Sequence, residues 1–256
     1  ADVDGDGDLD VLLGNWGSSR VLLNAGGGTF PTSITLPGEA GLTDSILAAD
    51  VDGDGDLDVL LGNFHRLRVL LNVNAGGGTF PTSITLPGSN ADTNSIAAAD
   101  VDGDGDLDVL LGNSGGPSRV LLNTGDGTFP TSIELPGGSA ATSSIAAADV
   151  DGDGDLDVLL GNSGGPSRVL LNAGGGTFPT SIELPGGSAD THSIAAADVD
   201  GDGDLDVLLG NSGGPSRMLL NAGGGTFPTS TELPGGSANT YSIAAADVDG
   251  DGDLDV

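Results

Sequence analysis

The stretch "DVDGDGDLDVLLGN", Asp2 to Asn15, puts five aspartates into nine residues and follows them with an apolar run closed by asparagine. Its acidic part, "DVDGDGDLDV", returns from Asp50, Asp100, Asp149, Asp198 and Asp247. Successive starts lie 48, 50, 49, 49 and 49 residues apart, a period that belongs to stacked supersecondary units, propellers among them. The unit that begins at Ser144 breaks into four short β-like runs: 144–150, 156–162, 168–172 and 177–184. Gly, Asn, Asp and Pro separate them, as hairpin loops require. No stretch keeps helical apolar spacing over three turns, so the chain reads as all-β.

Within a unit the second and third runs ("VLLG", "VLLN") are apolar at successive positions, which predicts strands buried on both faces. Sheets packed face to face provide that environment. The fourth run carries a proline (Pro31, Pro81, Pro130, Pro179, Pro228), which has no N–H to give and therefore belongs to an edge strand. The expected fold is a β-propeller of four-stranded antiparallel blades, five in number, forming one domain over residues 1–256. The blades fall at about 45–87, 95–136, 144–185, 193–234, and 242–256 joined with 1–36. In that arrangement strand 242–248 closes the ring, and residues 249–256 duplicate 4–11. This surplus admits a larger ring, a longer parent chain, or strand exchange and self-association between copies. The absence of an initial Met and the end inside a motif give the same expectation of a segment from something longer.

Charge sharpens the reading. The formal net charge is −32, and the six acidic motifs hold 30 of the 38 acidic residues, so the charge sits in one repeated device. The chain has no lysine and only six Lys plus Arg in total, which leaves no basic surface for a nucleic-acid backbone. It has no cysteine, so disulfides and thiol chemistry are excluded. No apolar run approaches the roughly 20 residues of a membrane-spanning helix.

The aspartates follow D-x-D-x-D-G-x-x-D. In Asp149–Asp157, carboxylates stand at positions 1, 3 and 5, glycine at 6 permits a sharp turn, the Asp155 carbonyl serves at 7, and Asp157 closes at 9. Alternating hard oxygens on a tight loop suit calcium, which takes six to eight of them. Zinc would want His or Cys, and only His65 and His192 exist. Solvated turn aspartates are the alternative, but a turn needs one Asp-Gly rather than four alternating carboxylates. The candidate metal residues are Asp2, Asp4, Asp6, Asp8 and Asp10; Asp50, Asp52, Asp54, Asp56 and Asp58; Asp100, Asp102, Asp104, Asp106 and Asp108. They continue with Asp149, Asp151, Asp153, Asp155 and Asp157; Asp198, Asp200, Asp202, Asp204 and Asp206; Asp247, Asp249, Asp251, Asp253 and Asp255. About one structural calcium per blade is expected.

On these residues the chain resembles the FG-GAP/VCBS repeats of integrin α-chain propellers and of many bacterial extracellular proteins, in particular through "SIAAADVDGDGDLDVLLGN". The resemblance implies that the acidic loop joins the first two strands of each blade. It also implies one calcium per loop, held by Asp149, Asp151, Asp153 and Asp157 and their counterparts, and a secreted or cell-surface setting. Position 7, often aromatic in integrins, is Asp155 here, and its side chain is expected to be free.

The "AGGGTF" turns lack the Gly-Lys-Ser/Thr of a phosphate loop and read as hairpin turns, with Phe30, Phe80, Phe129, Phe178 and Phe227 in the core between blades. No nucleophile–base constellation stands out, so no catalytic residue is assigned and the chain is read as non-enzymatic. The repeats drift at two places: between the second and third strands, and at the residue before each Ser-Ile. In an up-and-down meander both lie at the end opposite the acidic loops. Trp16, His65, Arg66, His192 and Tyr241 are the candidate ligand-binding residues there, for a glycan or protein, with adhesion as the expected role. A structural segment of an extracellular fibre or coat is the alternative.

Overall fold

The computed structural model describes residues 1–37, 42–63, 66–72, 78–87, 91–137, 140–186 and 190–256. It is built of antiparallel sheets, one per repeat. The first has three strands, β1 (Val11–Leu13), β2 (Arg20–Leu23) and β3 (Thr32–Thr35). The second holds β4 (Thr43–Ala49), β5 (Asp58–Asn63), β6 (Arg66–Leu71) and β7 (Thr82–Thr85). The third holds β8 (Asp92–Ala99), β9 (Asp108–Ser114), β10 (Arg119–Leu122) and β11 (Thr131–Glu134). The fourth runs β12 (Ala141–Ala148), β13 (Asp157–Ser163), β14 (Arg168–Leu171), β15 (Thr180–Glu183). The fifth runs β16 (Asp190–Ala197), β17 (Asp206–Ser212), β18 (Arg217–Leu220), β19 (Thr229–Glu232). Strands pair in chain order throughout, as a meander. Residues 242–248 carry one isolated bridge, Ala246 to Asp255.

The chain divides into two compact units. Unit one comprises residues 1–98, 105–111 and 119–133, and unit two comprises 99–104, 112–118 and 134–256.

Apolar residues at successive positions do fill both faces of a strand. On β5, Val59 and Leu61 join Val3, Val21 and Leu36 in one core, while Leu60 joins Val109, Leu111 and Leu121 in another. In unit two, Leu159 and Val169 pack with Val207, Leu209 and Leu219. A strand alternates its side chains, so a three-residue apolar run is what a sheet between two cores demands. Phe80, Phe129 and Phe227 sit in these cores. Phe30 does not, being 42% exposed: each core phenylalanine packs against the sheet before it in sequence, and Phe30 belongs to the first repeat.

Three details differ from the sequence reading. The prolines stand immediately before β3, β7, β11, β15 and β19 rather than inside them, so the missing N–H falls outside the ladder. The first strand of a repeat begins earlier than its Ser-Ile: β12 starts at Ala141 and β16 at Asp190. Its register then shifts between Thr43 and Ser45, between Thr142 and Ser144, and between Thr191 and Ser193. The drifting residue before Ser-Ile is therefore the extra residue of a β-bulge, within a strand rather than in a turn.

Polar clips tie neighbouring repeats. In unit two the Ser167 hydroxyl lies 2.9 Å from that of Thr191, which donates to Asn211 Oδ1 at 2.8 Å. Ser19, Thr43 and Asn63 repeat the arrangement in unit one. All these groups are buried and each finds a partner, as most buried polar atoms do. Ile194 N–H donates to Ser144 Oγ at 3.2 Å, and Ile243 N–H does the same to Ser193 at 3.1 Å.

Candidate metal centres

Each acidic loop is held in shape by its own carboxylates. In the second loop Asp50 accepts the Gly53 N–H at 2.8 Å on one oxygen and the Gly55 N–H at 3.0 Å on the other. Asp52 accepts from Asp54 N–H at 3.3 Å, and Asp54 from Asp56 N–H at 2.9 Å. Asp149, Asp151 and Asp153 make the corresponding bonds in the fourth loop, as do Asp198, Asp200 and Asp202 in the fifth and Asp247, Asp249 and Asp251 in the last. Glycine at position 6 has a φ of +95° in Gly55 and +98° in Gly154, a conformation that a side chain would strain.

This folding brings carboxylates together. Asp50, Asp52 and Asp58 each offer an oxygen within 4.8 Å of the others, and so do Asp149, Asp151 and Asp157, and Asp198, Asp200 and Asp206. In the first loop the converging set is Asp2, Asp4 and Asp6. The third loop is divided between the units, Asp100, Asp102 and Asp104 lying in unit two and Asp106 and Asp108 in unit one. The position-7 carboxylates lie apart from these groups, towards the glycine turn between the third and fourth strands. A Cβ built on Gly26, Gly174 or Gly223 would stand 3.2, 3.3 or 3.4 Å from an oxygen of Asp8, Asp155 or Asp204.

The closing aspartate is the most buried group of the loop. Asp58 is 0% exposed, accepts the Val51 N–H at 3.0 Å and the Asn72 N–H at 2.7 Å, and still has its pKa raised by burial to about 6. Asp157 is held alike by Val150 and Asn172, and burial again raises it to about 6. Asp4, Asp52, Asp102 and Asp151 are raised as well, by burial first, with repulsion from neighbouring aspartates contributing in each. Asp4 Oδ1 is buried without a hydrogen-bond partner. Converging hard oxygens, mutual repulsion and an orphaned buried oxygen are what a divalent oxygen-seeking cation would satisfy. These residues fit calcium.

Of the ligand-face candidates, the structure brings His192 and Tyr241 together, their ring centroids 5.1 Å apart and tilted by 45°. Tyr241 is 68% exposed and its hydroxyl accepts a long bond, 3.4 Å, from Asn239. Asp190, beside His192, accepts the Gly164 N–H at 2.8 Å, and that bond, with one to the Ser163 side chain and the nearby imidazole, lowers its pKa. Trp16 is 85% exposed. The Arg66 backbone begins β6, while its side chain, like all of His65, lies outside the described residues.

The asparagines that follow the third strands escaped the sequence reading. Asn172 is buried; its backbone N–H donates to Asp157 Oδ1 at 2.8 Å, its Nδ2 to the carbonyls of Val101 and Leu156 at 2.7 and 3.0 Å, and its Oδ1 accepts the Gly174 N–H. The signal was present: a polar residue ends the same apolar run in every repeat.

The FG-GAP-like repeat model matches residues 2–61, 50–111, 100–160, 149–209 and 198–256, and the chain belongs to that family. No curated protein matches it. Among solved structures of the β-propeller type, it is similar to an Agrocybe aegerita lectin described in terms of specific recognition of non-reducing terminal N-acetylglucosamine. The identity is 26% and the TM-score 0.64, over 90% of this chain and 64% of that one. It is also similar to BBS1N, solved in complex with ARL6DN (14% identity, TM-score 0.59, 91% and 64% covered). A third likeness is to the V. cholerae biofilm matrix protein Bap1 (19% identity, TM-score 0.52, 84% and 34% covered). The chain thus spans less than two thirds of the length of each. Among the described residues no helix is long and apolar enough to cross a membrane.

Proposed function

We propose that this chain is a non-enzymatic, extracellular β-propeller whose repeats close into a ring, stabilised by calcium in the acidic loops. A glycan or protein ligand is held at the end away from those loops. The observation that carries the calcium assignment is the convergence of carboxylate oxygens within 4.8 Å in loop after loop, in a chain that has no lysine. Asp149, Asp151 and Asp157, with their counterparts, would hold the ion, and its double positive charge would offset their repulsion. For the ligand, the His192–Tyr241 pair supplies an aromatic platform with polar tips, the kind of surface on which sugars and protein side chains are held. Likeness to a lectin supports binding rather than catalysis, and likeness to a biofilm matrix protein supports the extracellular setting.

The test is a panel of immobilised glycans, N-acetylglucosamine-terminated ones included, probed with the purified chain in calcium. Binding is expected, with at least about a tenfold loss in Tyr241→Ala at an unchanged melting temperature, one anchor contact being worth about 1.4 kcal/mol or more. Glycan binding untouched by Tyr241→Ala and by Trp16→Ala would move the ligand site elsewhere. A second reading, a structural array built by strand exchange, rests on exposed apolar residues near both ends: Val11 and Leu13 on β1, and Val248. It predicts polymers that lengthen with concentration in light scattering, and a strict monomer would remove it.

A further inference from the structure

Within each unit, the closing aspartates of successive loops are joined by a line of short polar contacts. In unit one, Asp10 Oδ2 accepts the Val3 N–H at 2.8 Å, and the Val3 carbonyl accepts from Asn72 Nδ2 at 2.9 Å. The backbone N–H of Asn72 donates to Asp58 Oδ1 at 2.7 Å. From there the line continues: Asp58 Oδ2 accepts the Val51 N–H at 3.0 Å, the Val51 carbonyl accepts from Asn123 Nδ2 at 2.7 Å, and Asn123 N–H donates to Asp108 Oδ1 at 2.9 Å. Unit two repeats it from Asp157 through Val150 and Asn221 to Asp206, at 2.9, 2.7 and 2.8 Å. Each valine stands between the first two aspartates of its loop, and each asparagine immediately follows a third strand of the next repeat.

We propose that this valine–asparagine relay makes the acidic loops fill cooperatively, each asparagine acting as a positioning residue for two loops at once. The inference rests on the calcium reading. An amide side chain suits the task because it donates two hydrogen bonds and accepts up to two from a single rigid plane. Asn221 uses it in that way: Nδ2 donates to Val150 and to Leu205, and Oδ1 accepts the Gly223 and Thr226 N–H groups, both at 3.1 Å. A loop drawn into its ion-holding shape fixes its valine carbonyl. That carbonyl orients the asparagine, whose own N–H holds the closing carboxylate of the next loop in place. Because these groups are buried, a shift in one leaves its neighbour's donor or acceptor unpaired, at a cost water cannot relieve. Charge alone would have the opposite effect, since an ion in one loop weakens the field that attracts the next. The sign of the cooperativity therefore separates the relay from electrostatics.

Calcium titration of the intact chain by calorimetry, with amide hydrogen exchange read at Val150 and Val199 on successive loops of unit two, decides the matter. The expected result is a Hill coefficient of about 2 and protection of both amides rising together across the titration. In Asn123→Ala and Asn221→Ala the same number of ions binds with a coefficient falling to about 1. Asn211→Ala, equally buried but bonded to Thr191 and Pro215, leaves the coefficient unchanged. A coefficient of 1 or below in the unaltered chain overturns the relay whether or not the variants fold, while leaving calcium binding intact. No calcium uptake at all would instead overturn the reading on which the relay rests.

Discussion

At the scale of the residue, the acidic loops place charge where the fold alone does not want it. Asp58 and Asp157 are buried carboxyls with folded pKa values of about 6, against an ordinary 3.8. Between those values the folded state binds more protons than the unfolded one, so metal-free stability falls as pH rises from about 4 to 6. It is then lower, by roughly 2–3 kcal/mol for each such group, at pH 7 and above. In chelator the melting temperature is therefore expected to be higher at pH 5 than at pH 7.5, and saturating calcium should reverse that order, because protons then compete with the ion. Scanning calorimetry at the two pH values, with and without calcium, checks this. Asp151→Asn divides the same two effects. It removes a repelling charge, so in chelator the variant should be as stable as the parent or more so, by up to about 1 kcal/mol. In calcium it should bind one ion fewer by calorimetric stoichiometry.

At the scale of the element, the apolar triplets and the glycine turns carry the fold. Leu60 is fully buried in the core that Val109 and Leu121 share, so Leu60→Ala should cost about 2–5 kcal/mol by urea denaturation, with calcium held constant. Gly174, at a φ of +86° and hard against the Asp155 carboxylate, should cost about 1–2 kcal/mol when changed to alanine in the same experiment. Much of this level was legible in advance, because the signals are local. Successive apolar residues announced strands buried on both faces, and prolines announced edges. The bulges were not legible: Asp44, Ser143 and His192 lie among strand-like residues, and only the pairing partner reveals which of them is supernumerary.

At the scale of the whole molecule, the metal loops were readable and the contacts between repeats were not, for one physical reason. All converging carboxylates of a loop come from a single nine-residue stretch, so spacing alone describes the set. Asn123 reaches a carbonyl 72 residues away, and no local pattern encodes that partner. His192 and Tyr241, 49 positions apart, met for the same repeat-to-repeat reason; drift among copies marked each of them but not their pairing. The account as a whole requires that cations hold a −32 chain together. The most direct test is thermal unfolding of the purified chain at pH 7.5, in about 1 mM calcium and then in excess chelator. Mass action at sites of about 0.1 mM affinity gives roughly 1.4 kcal/mol apiece, so several sites together should raise the midpoint by well over about 10 °C. An unchanged midpoint and unchanged steepness after chelation would contradict it.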